Sequence, residues 1–255
     1  FYTMPHQLQA LRDADRVIVL TGIEERELAS LGVPGERIHC LGAGVDLERV
    51  QGGDAARFRA QYGIDGPLVT FIGSVTDDKG AVHLVQAMQL LWNRGCRANL
   101  AIAGRPVQPS TFDQVYSNLS EGARARIRLL GPVSDSLKQD LLAATDLFVM
   151  PSRVDSFGIV YLEAWAYGLP VVGCRAGGVP DVISDGRDGL LVDFGDQASL
   201  AAAIESLLDD PGRRQSMGQQ GRAKVKAKYT WDRIYEGLQA VYGSLVGSPV
   251  GTERA

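Results

Sequence analysis

The sequence predicts an α/β fold organised on a doubly wound, parallel, Rossmann-like sheet, and three observations carry that prediction. From Pro67 onward, short β-branched runs alternate with longer amphipathic ones. The short runs are apolar on both faces, the pattern of strands covered by helices above and below. Six such strand–helix units follow one another without interruption. Composition agrees: 45% hydrophobic and 22% charged residues in 255 positions supply a sizeable core. A net charge of −4 with interspersed signs gives no indication of a nucleic-acid partner, which would need a basic face.

PLVTFIG (67–73) reads as a strand, and GAVHLVQAMQLLWNRG (80–95) as a helix. ANLAIAG (98–104) is the second strand, with a helical stretch around TFDQVYSNL. IRLLG (127–131) leads to the helix SLKQDLLAAT, and DLFVM (146–150) to FGIVYLEAWAYG. PVVGC (170–174) precedes a short helix at VPDVI, and GLLVDFG (189–195) precedes LAAAIESLLDD. Ahead of these units, DRVIVL (15–20) and EERELASL (24–31) form one extra strand–helix pair, and RIHCLGAGVD (37–46) is extended and ends in a glycine-rich corner. At the far end two helices break near Tyr229–Trp231, where Thr230 suits an N-cap. Arg222, Lys224, Lys226 and Lys228 read as a solvated helix face. The resulting division is 1–45 as a remnant of an earlier domain plus linker, 46–228 as the complete domain, 229–246 as a terminal helix and 247–255 as a disordered tail. Phe1 falls inside what reads as a helix with no initiator Met, as in a fragment of a longer protein.

Cys40, Cys96 and Cys174 are far apart, odd in number and in apolar surroundings, so they read as buried, reduced thiols without metal-ligand spacing. No apolar run reaches membrane-spanning length and no signal peptide precedes the first strand. The expected location is cytoplasmic, with room for peripheral contact at the inner face of a membrane.

Three strand ends carry candidate chemistry. In PSRVDSFGIVYLEAWAYG (151–168), Phe157 and Gly158 open a helix. The backbone N–H groups of Gly158, Ile159 and Val160 are helix-start donors in a positive dipole field, suited to a phosphate. Asp155 precedes that helix, where it could be a plain cap. Glu163, eight residues on, lies on an otherwise apolar helix and needs a partner. A ribose diol is one such partner and an internal ion pair is the other. In GSVTDDKG (73–80), Lys79 stands at a helix start, against the dipole preference. A bound anion would explain it; an exposed lysine in a turn is the plain alternative. In AGRP (103–106), Arg105 follows a strand-end glycine and could face the same crevice. Together these features point to a ligand with a diphosphate and a ribose. Neither GxGxxG nor GxxxxGK[ST] occurs, which argues against dinucleotide and P-loop chemistry.

The segment PSRVDSFGIVYLEAWAYGLPVVGCRAGGVPDVI closely resembles the signature of the family 4 (group 1) retaining glycosyltransferases: an acid, Phe-Gly after it, and Glu eight residues later. ADRVIVLTGIEERELASLGVPGERIHCLGAGVD is similar to that family's last N-terminal unit and interdomain linker, IGSVTDDKG to its diphosphate loop, LLGPVSDSLKQDLLAATDLFVMPS to its nucleobase-side segment, and KYTWDRIYEGLQAVY to its C-terminal helix. The resemblance covers about residues 15 to 245 in the same order.

It implies the C-terminal half of a two-Rossmann (GT-B) glycosyltransferase with a remnant of the N-terminal domain. It also implies a nucleoside-diphosphate sugar (UDP-, GDP- or ADP-linked) as donor substrate, a sugar, lipid or small-molecule acceptor, and no metal or other cofactor. Carried over by residue, Glu163 would hold the ribose hydroxyls, Asp155 the donor sugar, and Gly158, Ile159 and Val160 a phosphate or the sugar, with Phe157 beside them. Lys79 would neutralise the diphosphate beside Gly73 and Ser74, and main chain near Gly131 and Val133 would meet the base. Asp155 and Lys79 would be the catalytic pair. Two departures stand out: the family commonly has Glu at position 155 and Arg at position 74, where this chain has Asp and Ser. Arg105 could supply the missing charge. The acceptor site would lie in a missing N-terminal domain of the same protein.

Two other readings compete. A nucleotide-sugar 2-epimerase would need acids and histidines around the cleft, and only His6, His39 and His83 exist, none near the motif. A degenerate, non-catalytic module holding a nucleotide sugar or a protein partner would be consistent with Ser74 and a missing domain, but not with the presence of Lys79, Asp155 and Glu163.

Overall fold

The structure, a computed structural model, describes residues 4–50, 52–107 and 111–246. The tail expected at 247–255 lies outside the described residues, as does the start of the chain at Phe1. Helix α1 (Pro5–Asp13) begins at a proline, whose fixed φ suits a first helical turn, with Met4 as N-cap. Strands β1 (Val17–Val19) and β2 (Ile38–Cys40) flank helix α2 (Gly22–Ser30) and pair in parallel as a small two-stranded sheet. They share a minor core of Val17, Val19, Leu28, Val33 and Ile38.

The main domain opens with α3 (Ala55–Tyr62). Then come β3 (Leu68–Ile72), α4 (Ala81–Asn93), β4 (Asn99–Ala103), α5 (Phe112–Ser117), α6 (Glu121–Arg124) and β5 (Ile127–Gly131). The second half runs through α7 (Asp135–Ala144), β6 (Leu147–Val149), α8 (Ile159–Ala166), β7 (Val171–Cys174), α9 (Val179–Val182) and β8 (Gly189–Val192). Helices α10 (Gln197–Leu208), α11 (Pro211–Lys228) and α12 (Trp231–Val246) close the chain.

All six main strands are parallel, in the order β5-β4-β3-β6-β7-β8. The chain winds outward from β3 to β5, returns to β6 beside β3, and winds out the other way. That reversal places a crevice above the carboxyl ends of β3 and β6. Strands β3, β4 and β6 are buried along their whole length, as expected for a sheet covered on both faces. Helices α4 and α10 pack together, as do α3 with α7 and α8 with α11.

The terminal segment ties the two sheets together. The break between α11 and α12 falls at Tyr229–Thr230, with the Arg233 N–H donating to Thr230 Oγ1 at 3.3 Å as the capping bond. The Val45 N–H donates to the Tyr229 carbonyl at 2.8 Å, pinning the linker there.

Two expectations require correction. Lys224 is not part of a solvated face: it turns inward to Asp188 and lies 5.0 Å over the Trp165 ring, because α11 presents that side to α8. Nor are the cysteines uniformly buried. Only Cys174, in a central strand, is; Cys96 is partly covered and Cys40, at the open end of β2, is exposed. None is in a disulfide. No helix among the described residues is long and apolar enough to cross a membrane.

Candidate functional site

Three loops meet above β3, β4 and β6, and backbone bonds fix their mutual positions. The Gly73 N–H donates to the Ala103 carbonyl at 2.9 Å, Val75 to Arg105 at 2.9 Å, and Gly104 to Gly131 at 2.8 Å. Gly104 has φ +151°, and a Cβ there would run into the Gly73 carbonyl. Glycine is therefore required where these strand ends touch. Beyond the last ladder bonds, Val75 pairs with Pro106. That register sets Ser74 beside Arg105 on one face, both exposed. Gly131, at φ +63°, ends β5 on the same rim, and Val133 is half-buried against the core beyond it.

The loop after β6 is clamped from two sides. The Arg153 N–H donates to the Asp78 carbonyl at 3.0 Å, and the Arg153 guanidinium pairs with the Asp78 carboxylate at 2.6 Å. From the other side, Gly178 donates to the Asp155 carbonyl at 2.9 Å. A Cβ on Gly178 would strike the Ser156 carbonyl. The glycine pair after β7 is thus a close-fitting cradle for the residues around Asp155.

Asp155 does not cap α8. The N-cap is Gly158, at φ +80° and with no side-chain capping bond. Instead, the Asp155 Oδ1 accepts from Lys79 Nζ at 2.6 Å, with the two side chains 13% and 26% exposed. Lys79 is therefore not a freely exposed turn lysine: the anion that offsets its position is the Asp155 carboxylate. Its own N–H donates to Thr76 Oγ1 at 3.2 Å, which fixes the loop end. Oδ2 of Asp155 is buried and has no hydrogen-bond partner among the described residues. Such an oxygen calls for an explanation, and one is a ligand donor.

The first turn of α8 has no capping side chain, so its leading N–H groups lack a side-chain acceptor. Ile159 is exposed and Val160 half-buried there. Phe157, expected beside the ligand, is buried and packs edge-on against Tyr229 with ring centroids 5.4 Å apart.

Ile159, Glu163 and Tyr167 lie one turn apart on the face of α8 that looks toward α7. The partner that Glu163 requires is Lys138 of α7, with Nζ 2.7 Å from Oε1 and side chains 25% and 14% exposed. Sequence reasoning missed Lys138. Its pairing with Glu163 depends on α7 lying beside α8, which the sequence alone does not give. Both members of this pair line a cavity of about 600 Å³ together with Arg49, Gln139, Tyr167 and Trp231. Burial, then the nearby Asp140 and Glu163, pushes the Tyr167 phenol up to about 12, so it enters this cavity as a neutral group.

The site is thus two lysine–carboxylate pairs on either side of the start of α8. Lys79–Asp155 lies with Gly73, Ser74 and Arg105 at the strand ends, and Lys138–Glu163 lies in the α7–α8 groove. Such a site can receive an anion at the helix start and hydroxyl donors at the carboxylates.

The description "Glycosyl transferases group 1" matches residues 54–224. D-inositol 3-phosphate glycosyltransferase of Nocardia farcinica is 33% identical over 92% of the chain and 54% of its own length. Alpha-maltose-1-phosphate synthase of Mycolicibacterium smegmatis is 33% identical over 91% of the chain and 64% of its own. The crystal structure of Anabaena HepE in complex with UDP-glucose superposes with a TM-score of 0.80 at 22% identity, covering 95% of the chain and 68% of that protein. The chain spans about half the length of the first of these relatives.

Proposed function

The chain belongs to the group 1 glycosyl transferases, and from that premise we propose that it is the donor-binding half of a retaining enzyme that moves a sugar from a nucleoside-diphosphate sugar to an acceptor. The observation that carries this reading is the half-satisfied pair at the head of α8, where Asp155 keeps Oδ2 free beside Lys79 and uncapped helix N–H groups. The diphosphate lies over the start of α8, neutralised by Lys79 with Arg105 on the neighbouring strand end. Asp155 accepts from the donor sugar's hydroxyls, and Glu163 from the ribose.

In the reaction, the bond from the anomeric carbon to the diphosphate oxygen breaks as the acceptor oxygen bonds to the same face. The acceptor proton passes to the departing phosphate. Lys79 and the helix dipole take up the charge that develops on the leaving group, so the step as proposed uses no metal. The relatives' greater length fits an acceptor-binding domain outside this chain. The acceptor is a sugar, a lipid or a small molecule, and the enzyme works in the cytoplasm, where it can reach the inner face of a membrane. UDP-glucose is bound by the structurally similar HepE, which makes a uridine nucleotide the first donor to try.

Titration calorimetry with UDP, GDP and ADP and with their sugars tests the reading. One nucleotide series should bind, and Glu163→Ala should weaken it by about 1–3 kcal/mol, the scale of a hydrogen bond to a charged group. The ligand-free melting temperature should change little. Failure of every nucleotide to bind would overturn the proposal.

A further inference from the structure

We propose that Lys138 is a positioning residue that holds the Glu163 carboxylate in place for the two hydroxyls of a ribose; this rests on the ribose reading of Glu163 above. The chain around Glu163 gives it no other polar support. Its helix neighbours Leu162, Ala164, Trp165 and Ala166 are all buried apolar residues. A carboxylate only 14% exposed in such a setting needs a counter-charge and a contact to fix its rotamer. Lys138 supplies both through one short bond to Oε1. Oε2 accepts no hydrogen bond among the described residues, so the carboxylate is anchored at one end and open at the other. Both side chains border the same cavity of about 600 Å³.

Nothing about α7 itself asks for a lysine at this position. The helix is already capped by Ser134, whose Oγ accepts from the Leu137 N–H at 3.2 Å, and Asp135 stands in the first turn where an acid is favoured. Neither feature depends on a lysine at 138. What the lysine gains is reach across to α8. Removing it would leave Glu163 free to rotate, which would weaken acceptance of a vicinal diol before any contact with the ligand itself is lost.

A positioning residue acts through its partner, and that can be tested. The affinities of the chain for the nucleoside diphosphate it binds and for the 2′-deoxy counterpart are measured in the wild type, Lys138→Met, Glu163→Gln and the double variant. The wild type should prefer the ribose form by about tenfold, the worth of one hydrogen bond to a charged group. Lys138→Met should lose most of that preference, Lys138→Arg should keep part of it, and in the Glu163→Gln background Lys138→Met should add nothing. Melting temperatures of all variants show whether each is folded. An equal loss for both ligands, or a loss that adds to that of Glu163→Gln, would overturn the role of Lys138 while leaving the ribose reading intact. Preference retained in Glu163→Gln would overturn the ribose reading and the role of Lys138 with it.

Discussion

Two lysine–aspartate pairs in this molecule are alike in chemistry and opposite in completeness. Lys224–Asp188, between α11 and the turn before β8, is 17% and 1% exposed, and every contact around it is filled. Asp188 Oδ1 accepts from the Ser184 N–H at 2.8 Å, and its backbone carbonyl accepts from Trp165 Nε1 at 2.9 Å. Lys224 Nζ also donates to the Val182 carbonyl at 2.8 Å and to Ser184 Oγ at 2.9 Å, and lies over the Trp165 ring. Lys79–Asp155 has a single bond between its members and leaves Oδ2 buried and unpartnered. A pair that serves packing is satisfied by the protein. A pair left incomplete leaves a buried oxygen unaccounted for by the protein, which is where the proposed donor sugar would bind.

The comparison can be broken most forcefully at the satisfied pair. Lys224→Met strands a carboxylate that is 1% exposed, and losses of about 3–5 kcal/mol are usual when one partner of a buried pair is removed. Thermal or denaturant unfolding should show that loss, and nucleotide affinity of the folded protein should stay as it was. A stable Lys224→Met protein would mean that Asp188 reaches water and that the two pairs differ less than the geometry indicates.

The incomplete pair should respond the other way. Lys79→Ala should cost the folded protein less than Lys224→Met does, because Asp155 is 13% exposed where Asp188 is 1%, and should lower affinity for a nucleoside diphosphate by about 1.5–3 kcal/mol, the scale of a charged hydrogen bond. The bare nucleoside should lose less, and the difference should shrink with added salt. An equal loss for both ligands would place Lys79 away from the phosphates.

Much of this contrast was out of reach of the sequence, for identifiable reasons. The six strand–helix units were legible because strands buried on both faces leave an uninterrupted apolar run, as in LVTFI of β3 and NLAIA of β4. The acids were legible because Glu163 interrupts an apolar helix. Their partners were not: pairing Lys138 with Glu163 and Lys79 with Asp155 requires knowing that α7 lies beside α8 and β3 beside β6, which is tertiary information. Lys224 was misread for the same reason, since its alternation with Arg222, Lys226 and Lys228 looks like a solvated face until α8 is packed against it. A cap stayed open as the plain reading of Asp155 because caps are read from spacing, whereas the left-handed Gly158 begins the helix three residues later. The pairing of β1 with β2 was hidden by strands of three residues each, too short for a clear alternation.

The central claim, that the free oxygen of Asp155 awaits a donor sugar, is tested most directly with Asp155→Asn and two ligands. Asparagine keeps the shape of the side chain but removes the charge that strengthens hydrogen bonds from sugar hydroxyls. Calorimetry should find binding of the nucleoside-diphosphate sugar weakened by about 1–3 kcal/mol relative to wild type. The same nucleoside diphosphate without its sugar should lose distinctly less, and Asp155→Glu should bind both. Equal losses for the two ligands, or no loss for either, would contradict the account and make Lys79–Asp155 a structural pair like Lys224–Asp188.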